Sequence, residues 1–572
     1  MYILKGIGAA PGIAIGRIHV IHKTRSYAEF GGSVEPNVEW HRFLTAQQKS
    51  IENMSQFQQH ALQQYTDDMA KVYKAYLLML KDEEYIENIR SHIFSLQCAE
   101  HAVMNETERL VSCLLKAKSV YLNQRAEDVR AVEKMLLDCL ANKPLVDPDA
   151  CHNAMIIIAD ELTPADTIVY DPAQLQGFVT CNGGVTSHSV ILAKELGIPA
   201  IVGVEMDITC LSEDQCIIVD GDQGCVYVEP DEPLIAQYQQ QIALTLRQKE
   251  AMKRSVMDAA HKPSAVSVCA NVTSVSEAQK ALEHCPDGIG LVRTEFLYMN
   301  RNHFPDEKEQ LAFYQGLATL MPDKEIVIRT LDIGGDKQAE YIGIPPEENP
   351  FLGYRAIRYC LDNPAVFTCQ LRAILRASAW GKLKILIPMV TTLEELLETQ
   401  ARVERIKQSL REEGVTFDET IALGIMIETP AAALLADVFA RHCDFFSIGS
   451  NDLTQYITAS DRNNCKVQHL YRAYHPAVLR AIRQVIAAAK QHHIPVHVCG
   501  EIASDDKMLP FLVASGVDEL SVTPLSILKV KYQVAKMEGM QTQSWVERVM
   551  SEYEMDKVEI LLTEMAEKIK YL

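Results

Sequence analysis

The chain has 572 residues, length enough for about three or four domains and several sizeable cores. Apolar residues make up 48% and charged residues 23%, which excludes a disordered or fibrous chain. Lys and Arg total 55 against 76 Asp and Glu, a net charge of −21. That balance argues against nucleic acid or an anionic membrane as the main partner and leaves a basic protein partner or plain solubility. The 15 cysteines are odd in number, scattered and without a CxxC pair. A disulfide framework or zinc ribbon is therefore not expected, and a reducing cytoplasm is. No apolar run reaches the 18 or more residues of a membrane helix, so no membrane insertion is expected.

In chain order, Met1–Gly16 is apolar but rich in Gly and Ala, with Lys5 its only basic residue. It reads as a strand with tight turns rather than a signal peptide. No Pro lies between Pro36 and Pro144 and no Gly between Gly32 and Gly177. That stretch is dense in Gln, Glu, Ala, Leu and Lys, with apolar residues such as Val72, Tyr76, Met79 and Leu80 at helical spacing. A bundle of long helices is expected there, either a docking platform or a scaffold. From about 152 to 230 the texture changes to short β-runs (AMIIIAD, GFVT, IPAIVG, CIIVD, CVYVEP) with helical SVILAKEL between two of them. This predicts a small α/β domain completed by the N-terminal strand. A polar linker helix follows, up to Pro263.

Beyond it come eight β-runs separated by helical segments: AVSVCANV, DGIGLV, EIVIRT, KILIPM, IALGIMI, CDFFSIG, IPVHVC and VDELSV. Eight such alternations over about 300 residues predict a (β/α)8 TIM barrel. The expected boundaries are 1–20 with 146–230 for the α/β domain, 21–145 for the helical domain, 231–262 for the linker and 263–572 for the barrel. The fold class is multidomain α/β.

Two motifs carry chemistry. Gly183-Gly184-Val185-Thr186-Ser187-His188 precedes a helix expected from about Ser189. The glycines allow a tight turn, and Thr186 or Ser187 can cap the helix. His188 then lies at a helix N-terminus, where the dipole favours a neutral imidazole and a bound anion. This suits a phosphate-accepting nucleophile, although a capping turn with a surface His reads equally well.

The second motif is a set of strand ends, where barrel enzymes keep their catalytic groups. Arg293 follows GLV, Arg329 follows IVI, Glu428 follows GIMI, Asn451 and Asp452 follow FFSIGS, and Cys499 follows VHV. Two arginines can fork onto a phosphate or carboxylate. Glu428 and Asp452 offer hard oxygen ligands that can anchor Mg²⁺ when a substrate phosphate supplies more. Such a cage fits phosphoryl transfer. Arg462 and Arg355 are further candidate cations. Cys499 reads as a proton donor or as a small buried hydrophobe.

The runs GGVTSHSVILAKELGIPAIVG, VRTEF, RTLDIGGDK, ENPFLGYRAIR, IMIETPAA, FFSIGSNDLTQY and VCGEIASD occur in this order. Together with GIGAAPGIAIG they closely resemble enzyme I of the bacterial phosphoenolpyruvate:sugar phosphotransferase system, almost from end to end. The resemblance implies a swivelling phosphohistidine domain, a helical domain that docks the phosphocarrier protein HPr, and a phosphoenolpyruvate-binding barrel that forms a homodimer. It implies His188 as the phosphorylated residue, with Thr167 as its hydroxyl partner. Arg293, Arg329 and Arg462 become substrate clamps and Asn451 a substrate contact. Glu428 and Asp452 become Mg²⁺ ligands, and Cys499 the acid that protonates the enolate to pyruvate.

The chain departs from that pattern at Tyr76, where relatives often carry His, and at Ser460, Asn463 and Ser504. Alternatives are a paralogue serving a different or regulatory phosphocarrier and a relative of pyruvate phosphate dikinase. The second lacks support, because no nucleotide-binding Gly-rich loop precedes the histidine motif.

Overall fold

The computed structural model describes residues 2–21, 35–64, 76–95, 97–116, 120–141, 155–160, 162, 174–182, 188–206, 211–212, 215–259, 264–299, 303–335, 340–345, 347–462, 464 and 466–571. It divides into two compact units, Met1–Gln248 and Lys249–Leu572.

In the first unit the N-terminal run forms three strands: β1 (Tyr2–Lys5), β2 (Ile7–Ala10) and β3 (Ile13–Ile21). Long helices α1 (Pro36–Gln64), α2 (Glu83–Phe94), α3 (Ala99–Lys116) and α4 (Val120–Leu140) follow. Then come β4 (Met155–Ala159), β5 (Leu175–Thr180), α5 (His188–Leu196), β6 (Ala200–Val202), β7 (Cys216–Asp220) and β8 (Cys225–Val228).

The strands make one sheet ordered β1-β8-β7-β3-β4-β5-β6-β2. β1 and β2 therefore occupy opposite edges although only Gly6 separates them, so the sheet curls back on itself. The glycines of the N-terminal run have a steric reason at this seam. A Cβ on Gly8 would lie 2.1 Å from the Gly221 carbonyl oxygen, and one on Gly221 would lie 2.2 Å from that of Ala10. The continuous apolar run of β4 is buried on both faces, as an interior parallel strand requires. Ile156 and Ile158 pack with Ile18, Val179 and Val219 on one face. Met155 and Ile157 pack on the other face in a cluster with Phe43, Leu136, Leu137 and Leu140 of the helices.

The helices are tied together by a buried carboxylate. Glu39 accepts from the Ala99 amide (2.8 Å) at the start of α3 and from Arg42 (2.8 Å), which also reaches Glu100 (2.7 Å). Tyr76 is buried among the helices, its hydroxyl 3.4 Å from Asp128. The polar linker is helix α6 (Glu232–Ala259). Its Tyr238 donates a 3.0 Å hydrogen bond to Asp220, which also accepts from the Asp222 and Gln223 amides in the turn after β7.

The second unit holds the expected barrel: β9 (Ser267–Val272), β10 (Ile289–Val292), β11 (Glu325–Arg329), β12 (Lys382–Ile387), β13 (Ala422–Ile427), β14 (Phe446–Ile448), β15 (Val496–Val498) and β16 (Glu519–Val522). Neighbours pair in parallel, and β16 closes onto β9 with Glu519 opposite Ser267. Alternate residues face outward under the helices; Phe446, Ile448, Val496 and Val498 belong to that outer core. Inside, Leu291, Val327, Leu386, Met426, Phe445 and Cys499 form a separate cluster. No helix among the described residues is long and apolar enough to cross a membrane.

Candidate active site at the barrel strand ends

Parallel closure carries every strand end to one mouth, so residues as far apart in sequence as Asn271 and Ser521 become neighbours. Arg293, just past β10, is exposed, and its guanidinium has no hydrogen bond or ion pair with a described residue. Arg329, the last residue of β11, is 6% exposed and already paired, with Glu295 and with Asp332 at 3.3 Å. Arg355, 2% exposed, forms a fork on Asp332 (2.8 and 3.1 Å) and also reaches Asp452 (3.0 Å) and the Tyr456 hydroxyl (3.2 Å). Burial disfavours a charged guanidinium at Arg329 and Arg355. The facing carboxylates outweigh it, and both pKa values are raised. Arg462 approaches Asp452 at 3.5 Å, and Arg355 and Arg462 both stack on the Phe351 ring, at 5.9 and 5.6 Å.

Two buried carboxylates, Glu428 and Asp452, act on each other here. Glu428 is 1% exposed, and its Oε1 accepts the Met389 amide at 2.6 Å. Burial, then the Asp452 and Asp332 carboxylates, push its carboxyl up to about 8. Its Oε2 is directed at Gly449, where a Cβ would come within 2.8 Å, so the carboxylate occupies space that only glycine leaves open. Asp452 Oδ1 is buried and accepts no hydrogen bond from a described residue, its ion pair being the 3.5 Å approach of Arg462. A buried carboxylate oxygen without a hydrogen-bond donor among the described residues, and a carboxyl pushed toward neutrality by burial and neighbouring anions, are what a bound divalent cation would relieve. Among the described residues no group of three or more His, Cys, Asp or Glu is arranged to hold a metal ion. Two protein carboxylates therefore fit a cation whose remaining ligands come from substrate and water.

Cys499, just past β15, is buried. Ser447 of β14 donates to its Sγ at 3.0 Å, and the thiol is 3.7 Å from the Ile448 carbonyl oxygen. Burial pushes the thiol up to about 11, opposed by Ser447, Arg329 and Arg293. Asn451 is linked to Glu501 through its amide nitrogen and through the Glu501 backbone N–H, each at 3.3 Å, and its carbonyl accepts from Tyr471 at 3.2 Å. Backbone strain gathers here as well. Ala356, Met389 and Ala459 all take positive φ (54°, 58° and 51°): Ala356 follows Arg355, Met389 is itself the amide donor to Glu428, and Ala459 precedes the Arg462 loop.

The barrel mouth thus brings together Arg329, Arg355, Glu428, Asp452 and Arg462, with Arg293, Asn451 and Cys499 at neighbouring strand ends. Arg355 proves to be the centre of an ion-pair network. Sequence reading passed over Glu295, Asp332, Tyr456 and Ser447. Glu295 and Asp332 follow Arg293 and Arg329 by two and three residues, a charge spacing that was open to notice. Tyr456 and Ser447 carried no such signal. In the first unit, α5 begins at His188, one residue earlier than expected, and packs Val190, Leu192 and Ala193 inward. Thr167, Gly183, Gly184 and Thr186 lie outside the described residues.

Comparison with known proteins is consistent along the chain. Residues 247–539 match the PEP-binding domain of the PEP-utilising enzymes, 152–224 their mobile domain and 5–125 their N-terminal domain. The phosphoenolpyruvate-protein phosphotransferase of Bacillus subtilis (strain 168) is 37% identical over 554 residues, covering 96% of this chain and 97% of that protein. That of Geobacillus stearothermophilus is 40% identical over 537 residues, covering 93% of each. The chain belongs to this family of phosphoenolpyruvate-protein phosphotransferases. It is an enzyme that transfers the phosphoryl group of phosphoenolpyruvate, as the resemblance implied. A solution structure titled Enzyme I (nEIt) is 31% identical, with a TM-score of 0.38 over 42% of this chain and 99% of that one.

Proposed function

We propose that the chain takes the phosphoryl group of phosphoenolpyruvate onto His188 and passes it to a histidine of an HPr-like phosphocarrier, releasing pyruvate. The observation that supports this best is the barrel mouth: an exposed Arg293 without a partner among the described residues, paired arginines at neighbouring strand ends, two carboxylates suited to a cation, and a buried thiol. Arg293 offers an exposed guanidinium fork to the incoming phosphate, while Arg329 and Arg462 set positive charge around it. Arg329 and Arg355, fixed by Glu295, Asp332 and Asp452, need little rearrangement on binding. Asn451 contacts the substrate. Glu428 and Asp452 would hold Mg²⁺, which when bound neutralises the phosphoryl oxygens and the developing enolate.

The His188 imidazole attacks phosphorus in line as the enolate leaves. Thr167 is proposed as its hydroxyl partner, and Gly183, Gly184 and Thr186 as supporting residues. Cys499 gives its proton to the enolate carbon. The proposed division of labour is residues 1–20 and 146–230 for the phosphohistidine domain, 21–145 for carrier docking, 231–262 for the linker and 263–572 for the barrel, through which the chain dimerises. The reducing cytoplasm suits a buried catalytic thiol.

Intact mass spectrometry after incubation with phosphoenolpyruvate and Mg²⁺ tests the proposal. One acid-labile phosphoryl group is expected, discharged by HPr with one pyruvate formed. Phosphoryl uptake that persists in His188→Ala overturns the assignment. Labelling that HPr cannot discharge points instead to a different carrier.

A further inference from the structure

Ser447 has no apolar reason to be where it is. It lies mid-strand in β14, fully buried, its side chain on the inner face beside a cluster of Leu291, Val327, Leu386, Met426 and Phe445. A hydroxyl among such neighbours costs free energy unless it is hydrogen-bonded. The bond described for it is to the Cys499 sulfur, at 3.0 Å, with the hydroxyl as donor. Cys499 in turn has its thiol 3.7 Å from the carbonyl of Ile448, the residue after Ser447. One short strand therefore grips the sulfur twice, once as donor and once as acceptor. The grip fixes the side-chain rotamer and leaves an O–H aimed at the atom on which negative charge would appear.

We propose that Ser447 is a positioning residue for proton transfer: its hydroxyl holds the Cys499 thiol toward one face of the enolate and stabilises the thiolate left behind. This rests on the reading of Cys499 as the acid. In the step, the S–H bond breaks and its electron pair stays on sulfur. The enolate π pair forms the new C–H bond at the methylene carbon, giving the methyl group of pyruvate. The Ser447 O–H then donates to a thiolate rather than a thiol, a stronger bond than in the resting state, and so lowers the barrier. Water returns the proton to sulfur after product leaves.

Ser447→Ala removes the hydroxyl with almost no change in shape. The variant is expected to melt close to the parent, bind phosphoenolpyruvate with an unchanged KM and lose on the order of tenfold or more in kcat for pyruvate formation. With phosphoenol-3-fluoropyruvate in deuterated water, the parent should give one enantiomer of deuterated fluoropyruvate. Ser447→Ala should give a less pure product, because the thiol is no longer held over one face. Cys499→Ala and the double variant separate the inference from the reading beneath it. If Cys499→Ala turns over normally, the acid assignment fails and the inference with it. If Cys499→Ala is impaired but Ser447→Ala keeps full kcat and stereochemical purity, the inference alone fails. A purely structural role predicts the same loss on adding Ser447→Ala to either background. Action through the thiol predicts a loss only where Cys499 is present.

Discussion

Single residues in this barrel mouth are defined by what they lack as much as by what they touch. Arg293 and Arg329 both follow apolar β-runs, yet Arg329 is buried and paired with Glu295 and Asp332 while Arg293 is exposed and has no hydrogen bond or ion pair with a described residue. Arg293→Ala should therefore raise KM for phosphoenolpyruvate at least tenfold with the fold intact, as steady-state pyruvate release will report; Arg329→Ala should also destabilise the barrel, because it removes the guanidinium paired with the buried Glu295 and Asp332 carboxylates. Cys499→Ala should lower kcat on the order of 10²–10⁴-fold with KM little changed, the pattern of a lost general acid. Gly449 is a position where a single methyl matters. A Cβ there would sit 2.8 Å from Glu428 Oε2, so Gly449→Ala should weaken the Mg²⁺ dependence of pyruvate release by about 10-fold or more, read by titrating the metal.

At the scale of elements, the strands place groups and short hydrogen bonds lock them. Tyr238 fastens the start of α6 to the turn after β7, through Asp220. Tyr238→Phe leaves that carboxylate oxygen without its donor at a buried site. A loss of about 1–2 kcal/mol is expected, seen as a drop of a few degrees in the melting of the first unit.

Inside the barrel, His497 of β15 and Glu519 of β16 lie on the inner face with Nδ1 and Oε1 3.4 Å apart. Burial, with the nearby Lys384 ammonium, lowers His497 to about 3, and the ring stacks on Phe445 at 5.1 Å. Burial raises Glu519 to about 7, against the pull of Cys269 and Lys384 and with that of Glu325. The folded state holds the Glu519 proton more tightly than the unfolded chain does. Its stabilisation is therefore full below about pH 4.5 and is lost as pH rises through 7. Glu519→Gln, which leaves His497 in place, should gain on the order of 2 kcal/mol over the parent between pH 5 and pH 8, read by melting at the two values.

Across the whole molecule, the rhythm of the sequence carried the architecture. Eight apolar runs at regular spacing could bury themselves only as parallel strands under helices, and each became a barrel strand. The Gly- and Pro-free stretch became long helices for an equally local reason. The N-terminal run was less legible. Two of its three strands form the opposite edges of one sheet and the third lies inside it, and only that arrangement explains why Gly8 and Gly221 leave no room for a Cβ where they meet.

The candidate site divides in the same way. Strand-end position named Arg293, Arg329, Glu428, Asp452 and Cys499, because a residue that ends a parallel barrel strand must face the mouth wherever else the chain goes. Composition and spacing thus determined the fold class and the kinds of group at the mouth. Which arginines are buried and paired, which carboxylates share them, and that a serine mid-strand grips the cysteine were decided by the tertiary structure alone. Those are contacts between residues 23 to 97 positions apart, set by barrel closure and burial, and no local pattern encodes them.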